Sequence, residues 1–297
     1  MKELVIISGK GGTGKTSVTA SFAALSSNAV IADADVDASD LHLVLRPVLQ
    51  SRQDFQAGQE ARIDPARCEG CGQCRELCRF DAVQAAPLGV GTLGFRVDPA
   101  ACEGCGVCAA FCPAKAIDLS PRIAGEWFTS GTRFGPLVHA ALAPGGENSG
   151  KLVTQVREVA RRIADDEGRT LILVDGPPGI ACPVIASITG ASLVLAVTEP
   201  TVSGEHDLER VLALTARFAI PTFVCINKYD LNLDLATRME NRAEALGARI
   251  TPRIPYDHTV TRAQVLGIPV VEMDEGMAGA AMRAVWNTIQ GELHGLP

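Results

Sequence analysis

The run "LVIIS", followed at once by "GKGGTGKT" (9–16), leaves this chain few ways to fold. The apolar residues read as a buried strand, and "KTSVTASFAAL" after the glycines reads as a helix. A strand that turns through glycines straight into a helix is the opening unit of an open α/β sheet. Gly9, Gly14, Lys15 and Thr16 fit the pattern G-x-x-x-x-G-K-[ST]. In it, glycines let backbone N–H groups approach phosphates, the lysine supplies charge to the β/γ oxygens, and the hydroxyl can ligate Mg²⁺. The candidate nucleotide-contacting residues of the loop are Gly9, Lys10, Gly11, Gly12, Thr13, Gly14, Lys15, Thr16 and Ser17.

Further apolar runs follow: "NAVIADAD", "TLILVDG", "SLVLAVTE", "TFVCIN" and "ARITPRI". Amphipathic stretches at 149–168 and 205–218 lie between them. Near-continuous apolar strands separated by helices predict a mostly parallel sheet covered on both faces, the α/β class of the P-loop NTPases. With 47% apolar residues in 297, a large core is available. The net charge of −7 argues against a nucleic-acid partner. No uninterrupted run approaches the ~18 apolar residues of a membrane span, so a cytoplasmic protein without direct membrane binding is expected.

Residues 59–119 break this rhythm. Within them "IDPARCEGCGQCRELCRFDAV" (63–83) recurs as "VDPAACEGCGVCAAFCPAKAI" (97–117). A short repeat dense in Cys and Gly is a unit folded around metal rather than around a large core. An inserted domain at 59–119 is therefore expected, dividing the sheet domain into 1–58 and 120–297, with a hairpin at 125–142 leading back into the sheet. Eight of the ten cysteines lie in this insertion, and in a reducing compartment clustered cysteines more often bind metal than form disulfides. A pair of zinc knuckles is one possibility. The other comes from the spacing C-x₂-C-x₂-C-x₃-C, which resembles the bacterial ferredoxin run. That resemblance implies an α+β fold holding two [4Fe–4S] clusters, with the fourth cysteine of each run serving the other cluster. Cys68, Cys71, Cys74 and Cys112 would then hold one cluster, and Cys78, Cys102, Cys105 and Cys108 the second. Pro113 follows Cys112 as in ferredoxins, whereas Arg79 follows Cys78, a departure that touches the local turn and cluster potential.

Lys10 makes the loop the deviant form K-G-G-T-G-K-T. This resembles the MinD/ParA/Mrp group of P-loop ATPases, which includes the nitrogenase iron protein. The resemblance implies that Lys10 reaches across a nucleotide-sandwich dimer to the partner's phosphates, as an arginine finger does. The segment "IADADVDASDLHL" (31–43) resembles the group's switch I, which implies that Asp35 positions or activates the attacking water and Asp33 supports Mg²⁺. Asp37 and Asp40 read as solvated or helix-capping residues. "LILVDGPPG" (171–179) resembles Walker B running into switch II, with Asp175 holding Mg²⁺ through water. The implied magnesium set is Thr16, Asp33, Asp35 and Asp175, and the implied catalytic set is Lys10, Lys15 and Asp35. For the base, "VCINKYD" (224–230) carries the N-K-x-D order with which GTPases read guanine. In the MinD/Mrp group an Asn here contacts adenine instead, which points to Asn227, with Pro255 in the second base-side loop "RIPYD". ATP is the preferred reading.

A deviant P-loop ATPase interrupted by a two-cluster ferredoxin resembles a known subfamily over almost the whole chain. Cys182 stands where the iron protein has a cluster ligand, but the companion ligand is missing here, and a buried structural thiol is expected. Cys225 reads as core. Glu147, Asn148 and Ser149 read equally as a helix cap or as a partner-facing segment, and His139 and His206 as structural or surface residues. Three functions follow from these features. One is a dimeric ATPase, homodimeric or paired with a paralogue, that couples hydrolysis to electron transfer with a redox or iron–sulfur protein. The second is an iron–sulfur carrier of Mrp type, and the weakest is a MinD/ParA-like positioning ATPase.

Overall fold

The protein is described from a computed structural model covering residues 1–89, 92–143 and 149–295. In chain order the elements are β1 (Lys2–Ser8), α1 (Lys15–Leu25), β2 (Ala29–Asp33), α2 (Leu41–Leu45), β3 (Val48–Ile63), α3 (Gln73–Leu77), β4 (Val83–Gly89) and β5 (Thr92–Val97). Next come α4 (Val107–Ala110), β6 (Ile117–Thr132), β7 (Gly135–Leu142), α5 (Ser149–Asp166), β8 (Leu171–Pro178), α6 (Cys182–Ile188) and β9 (Leu193–Thr198). The chain closes with α7 (Val202–Arg217), β10 (Thr222–Ile226), α8 (Leu233–Ala245), β11 (Arg249–Ile250), α9 (His258–Leu266) and α10 (Met277–Gly295). They form two compact units, one of residues 1–53, 127–141 and 149–297, the other of 54–126 with 142–148.

In the larger unit the strands lie in the order β11-β10-β9-β1-β8-β2-β7, with the near parts of β6 and β3 at the edge. The pairs from β11 through β7 are all parallel. β1 sits at the centre because Leu4, Val5, Ile6 and Ile7 are apolar on both faces and fully buried. Successive side chains of a strand alternate between faces. Leu4 and Ile6 accordingly share a core with Phe22, Met282 and Trp286, the Phe22 and Trp286 rings lying 5.0 Å apart. Every loop that leaves the carboxyl end of β1, β2, β8, β9 or β10 emerges on one edge of the sheet, which is where open α/β sheets bind ligands.

In the smaller unit β4 and β5 form an antiparallel hairpin, Val83 opposite Val97. The two sequence repeats fold alike and are cross-braced. Asp64 and Asp98 each accept a turn hydrogen bond two residues on, from Ala66 N (2.9 Å) and Ala100 N (3.0 Å). The start of each repeat is bonded to the end of the other: Asp64 N donates to Ala116 O (2.8 Å) and Asp98 N to Ala82 O (2.7 Å). The unit is wider than the 59–119 expected from the cysteines. Parts of the sixteen-residue strands β3 and β6 belong to it; β3 is mostly exposed, whereas β6 is mostly buried or half-buried.

Candidate functional site

A cavity of about 690 Å³ opens at the carboxyl edge of the larger sheet, lined by Gly11 to Ser17, by Asp35 to Val44 in part, and by Pro177, Pro178 and Gln264. That volume is in the range of small-molecule sites. The floor is the loop between β1 and α1. Two of its glycines are there because no side chain fits. A Cβ on Gly9 would lie 2.5 Å from Asp207 Cβ, and one on Gly14, whose φ is +93°, would lie 2.4 Å from Asn227 Nδ2. The loop therefore packs by its bare backbone on α7 and on the residue that follows β10.

Beneath it lies a knot of charge. Lys15 Nζ donates to Asp175 Oδ1 at 3.1 Å and to Asp35 Oδ2 at 3.3 Å. Thr16 Oγ1 and Thr19 Oγ1 donate to the two Asp175 oxygens at 2.8 and 3.0 Å. Burial by itself would push the Lys15 ammonium toward neutrality, but Asp175, Asp35 and Asp33 overcome it and hold it above its ordinary value. Burial, and then repulsion from Asp175, raises Asp33 to about 7, against the bonds it accepts from Ser39 Oγ and Leu41 N. Burial also raises Asp35, with Lys15 pulling the other way. Asp33 and Asp175 are register partners on β2 and β8, so the strand pairing itself brings the two carboxylates together. Asp33, rather than Asp40, caps α2: Leu41 N donates to it at 3.2 Å, and Asp40 makes no side-chain cap.

Lys10 does not face the cavity. Its Nζ is ion-paired with Glu199 Oε1 at 2.7 Å and donates to Thr201 Oγ1 (3.0 Å) and Ser203 Oγ (3.2 Å). Glu199 also meets Lys228 Nζ at 3.2 Å, and Lys228 in turn donates to Gly12 O at 3.3 Å. Burial alone would raise the Glu199 carboxyl, and the two lysines more than offset this, so it lies below its usual value. Glu199 was not singled out from the sequence. Its only signal was a lone acid ending the apolar run "LVLAVTE", a position shared by many strand ends.

The base-side candidates Asn227 and Pro255 are both packed away from solvent. Asn227 is buried, donates Nδ2 to Thr13 O at 2.7 Å and accepts from Lys228 N at 3.0 Å, so its side chain braces the loop. Pro255 is buried, and neither residue lines the cavity. Asp230 accepts from Tyr256 N at 2.7 Å, tying down the segment "RIPYD". Asp230→Ala is therefore expected to loosen that segment and cost about 0.5–1.5 kcal/mol of stability, the net scale of a hydrogen bond that water can replace. Chemical denaturation measures the loss, and ATP and GTP affinities should fall together rather than diverge.

In the smaller unit the cysteines gather in two small cavities. One is lined by Cys68, Cys71, Cys74 and Cys112, the other by Cys78, Cys102, Cys105 and Cys108. Each therefore holds three thiols of one repeat and the last thiol of the other. Ile63, Phe95 and Ile117 wall the first, and Ala61, Leu77 and Val97 are among the walls of the second. Backbone N–H groups already point at two sulfurs, Gly104 N to Cys102 Sγ (3.4 Å) and Ala116 N to Cys112 Sγ (3.3 Å). Among the described residues no three His, Cys, Asp or Glu side chains are grouped as a single metal ion requires. Cys225 is buried, and burial pushes its thiol up to about 12. Cys182 is not the buried thiol expected: it is exposed, because it opens α6 on that helix's solvent side, although its sequence neighbours are apolar. Ser149 opens α5, whereas Glu147 and Asn148 lie outside the described residues. No helix among the described residues is long and apolar enough to cross a membrane.

Comparison with known proteins follows the same lines. Residues 4–270 match the family model of the CobQ/CobB/MinD/ParA nucleotide binding domain. An uncharacterized protein of Methanocaldococcus jannaschii, MJ0578, is 33% identical over 239 residues, 77% of this chain and 79% of that one. The cell division ATPase MinD of Pyrococcus furiosus superposes with a TM-score of 0.57 at 16% identity, covering 98% of this chain and 99% of its own. MinD of Pyrococcus horikoshii, solved in complex with Mg-ADP, gives 0.56 at 16% identity, covering 97% of this chain and 95% of its own. The mostly parallel P-loop sheet is thus the MinD fold, and the chain belongs to the CobQ/CobB/MinD/ParA nucleotide-binding family.

Proposed function

We propose that this protein is a Mg²⁺-dependent ATPase that works as a dimer and couples its nucleotide cycle to electron transfer through two [4Fe–4S] clusters. The observation that carries the coupling is the make-up of the two thiol cavities, each with three cysteines of one repeat and the fourth of the other. Two-cluster ferredoxins share their ligands in that way. A cubane takes one thiolate at each of four irons, so its ligands stand farther apart than those around a lone ion. Two sets of four cysteines match the thiolate count of two cubanes. When bound, the clusters would supply one-electron chemistry at potentials tuned by N–H groups directed at their sulfurs.

On the nucleotide side, the backbone of residues 11–16 cradles the phosphates, and Lys15 exchanges its carboxylate partners for their oxygens. The buried Thr13 hydroxyl, which has no partner among the described residues, marks a polar atom this loop leaves for a ligand. Thr16 and Asp175 meet at 2.8 Å with donors suited to magnesium, which would offset phosphate charge. Asp35, at the cavity wall, orients the attacking water, and Lys10 of a second subunit stabilises charge on the transferred phosphoryl group. The horikoshii protein's complex with Mg-ADP supports this choice of nucleotide and metal. The complex of MinD with MinC from Aquifex aeolicus is that pair's own assembly, and the partner proposed for this chain is a redox protein.

If nucleotide and electron bias one two-state molecule, each must shift the other's equilibrium by the same factor. A coupling of about 1–3 kcal/mol corresponds to roughly 40–130 mV for a one-electron couple. Redox titration followed by EPR, with and without a non-hydrolysable ATP analogue, is expected to give a shift in that range. Equal potentials with nucleotide demonstrably bound would end the coupling proposal.

A further inference from the structure

We propose that the stacked imidazoles of His42 and His139 form the joint through which the nucleotide-facing switch segment and the strand β6 sense one another. The helix α2 has two working sides. Leu43 and Val44 line the nucleotide cavity, while the His42 ring lies nearly parallel to His139 of β7, 5.9 Å between centroids and 12° between planes. His139 stacks in turn on Phe128 of β6 at 4.9 Å and 24°, and its Nε2 shares a hydrogen bond of 3.1 Å with Ser130 Oγ of the same strand. One column of rings thus joins α2 to the consecutive strands β6 and β7, which lie far from it in sequence.

The upper end of the column is fastened to the phosphate site. Asp33 Oδ2 accepts from Ser39 Oγ and Leu41 N, which sets where α2 begins, and Asp33 faces Asp175 across the sheet. Any shift of the Asp33–Asp35 turn on nucleotide binding must therefore move the five residues of α2, and His42 with them. At the lower end, Phe128 and Ser130 lie on a strand that runs unbroken from Ile117 to Thr132, whose first ten residues belong to the cysteine-bearing unit.

The middle of the column is built to slip rather than to lock. His42 Nδ1 is buried and has no hydrogen-bond partner among the described residues, so ring contact alone holds that end. Burial, and then His42, lowers His139 to about 4, which keeps its ring uncharged at neutral pH and able to stack. A contact of two flat rings without a directional bond can slide in plane as α2 shifts, whereas a salt bridge would have to break.

The joint rests on the nucleotide-site reading and not on the clusters, so its test separates the two. Hydrogen exchange of the full chain, prepared anaerobically, is followed for peptides within 117–132 with and without a non-hydrolysable ATP analogue, and analogue affinity is measured alongside. The wild type is expected to show a change of roughly threefold or more in β6 exchange on binding, a local-opening response. His42→Ala is expected to bind the analogue with near wild-type affinity and lose most of that change. His42→Phe, which restores a ring, should recover it, and His139→Leu should lose it from the other side. An undiminished β6 response in His42→Ala and His139→Leu, or none in analogue-bound wild type, overturns the joint. Failure of the wild type to bind the analogue is recorded by the affinity arm, and it overturns the nucleotide-site reading and the joint with it.

Discussion

Lys10→Ala is expected to bind ATP almost as well as the wild type and to hydrolyse it about 10³-fold more slowly or worse, the range of cations supplied in trans. The geometry separates binding from turnover. Lys10 lies off the cavity, held by Glu199, Thr201 and Ser203, so nucleotide binding in one subunit does not draw on it. Lys15 lies in the cavity above Asp175, and Lys15→Ala should lose binding itself. Mixing supplies the decisive measurement. On the proposed mechanism an Asp35→Ala subunit would fail to orient water but still carry Lys10, so with Lys10→Ala it should form dimers with one competent site. Steady-state hydrolysis well above that of either variant alone is the expected result. Wild-type turnover by Lys10→Ala would remove the dimer mechanism. If Lys10 serves a neighbour as proposed, it would first have to leave a partly buried carboxylate, so dimerisation would compete with an internal ion pair.

Protein purified without oxygen is expected to carry about eight irons and eight acid-labile sulfides per chain. The arrangement of the cavities makes a sharper claim, since the last thiol of each repeat stands with the first three of the other. Cys112→Ser should therefore damage the site built on Cys68, Cys71 and Cys74, while Cys78→Ser should damage the one built on Cys102, Cys105 and Cys108. Each change is expected to remove about half of the cluster signal, read by iron analysis and EPR. Zinc in place of iron and sulfide, or damage confined to the mutated repeat's own triplet, would discard the assignment.

The phosphate loop was legible because its determinants are contiguous: apolar strand, glycines, Lys15 and helix follow within a few residues. The parallel strands were legible for a similar reason, each being an uninterrupted apolar run. β3 was not, since "VLQSRQDFQAGQEARI" is mostly exposed and pairs through backbone that any sequence supplies. The contacts that could not be read are those made to partners distant in sequence. Asn227 Nδ2 bonds Thr13 O and the Asp230 carboxylate bonds Tyr256 N, pairings that no local pattern in the sequence displays. Cys182 sits among apolar neighbours in sequence, and only the placement of α6 shows that it faces outward. The histidine column was invisible for the same reason, its members being two unrelated residues of a helix and a strand.

The bracing of the loop from below has a kinetic consequence. Asn227 on Thr13, Lys228 on Gly12 and the close packing of Gly9 on Asp207 fix the loop's backbone before any phosphate arrives. A cradle already shaped gives up little chain entropy when it fills, so affinity is not spent on ordering it. Encounter should then be a single fast step with rates near those of rigid sites, and on the proposed mechanism the slow events of the cycle would fall to α2 and Lys10.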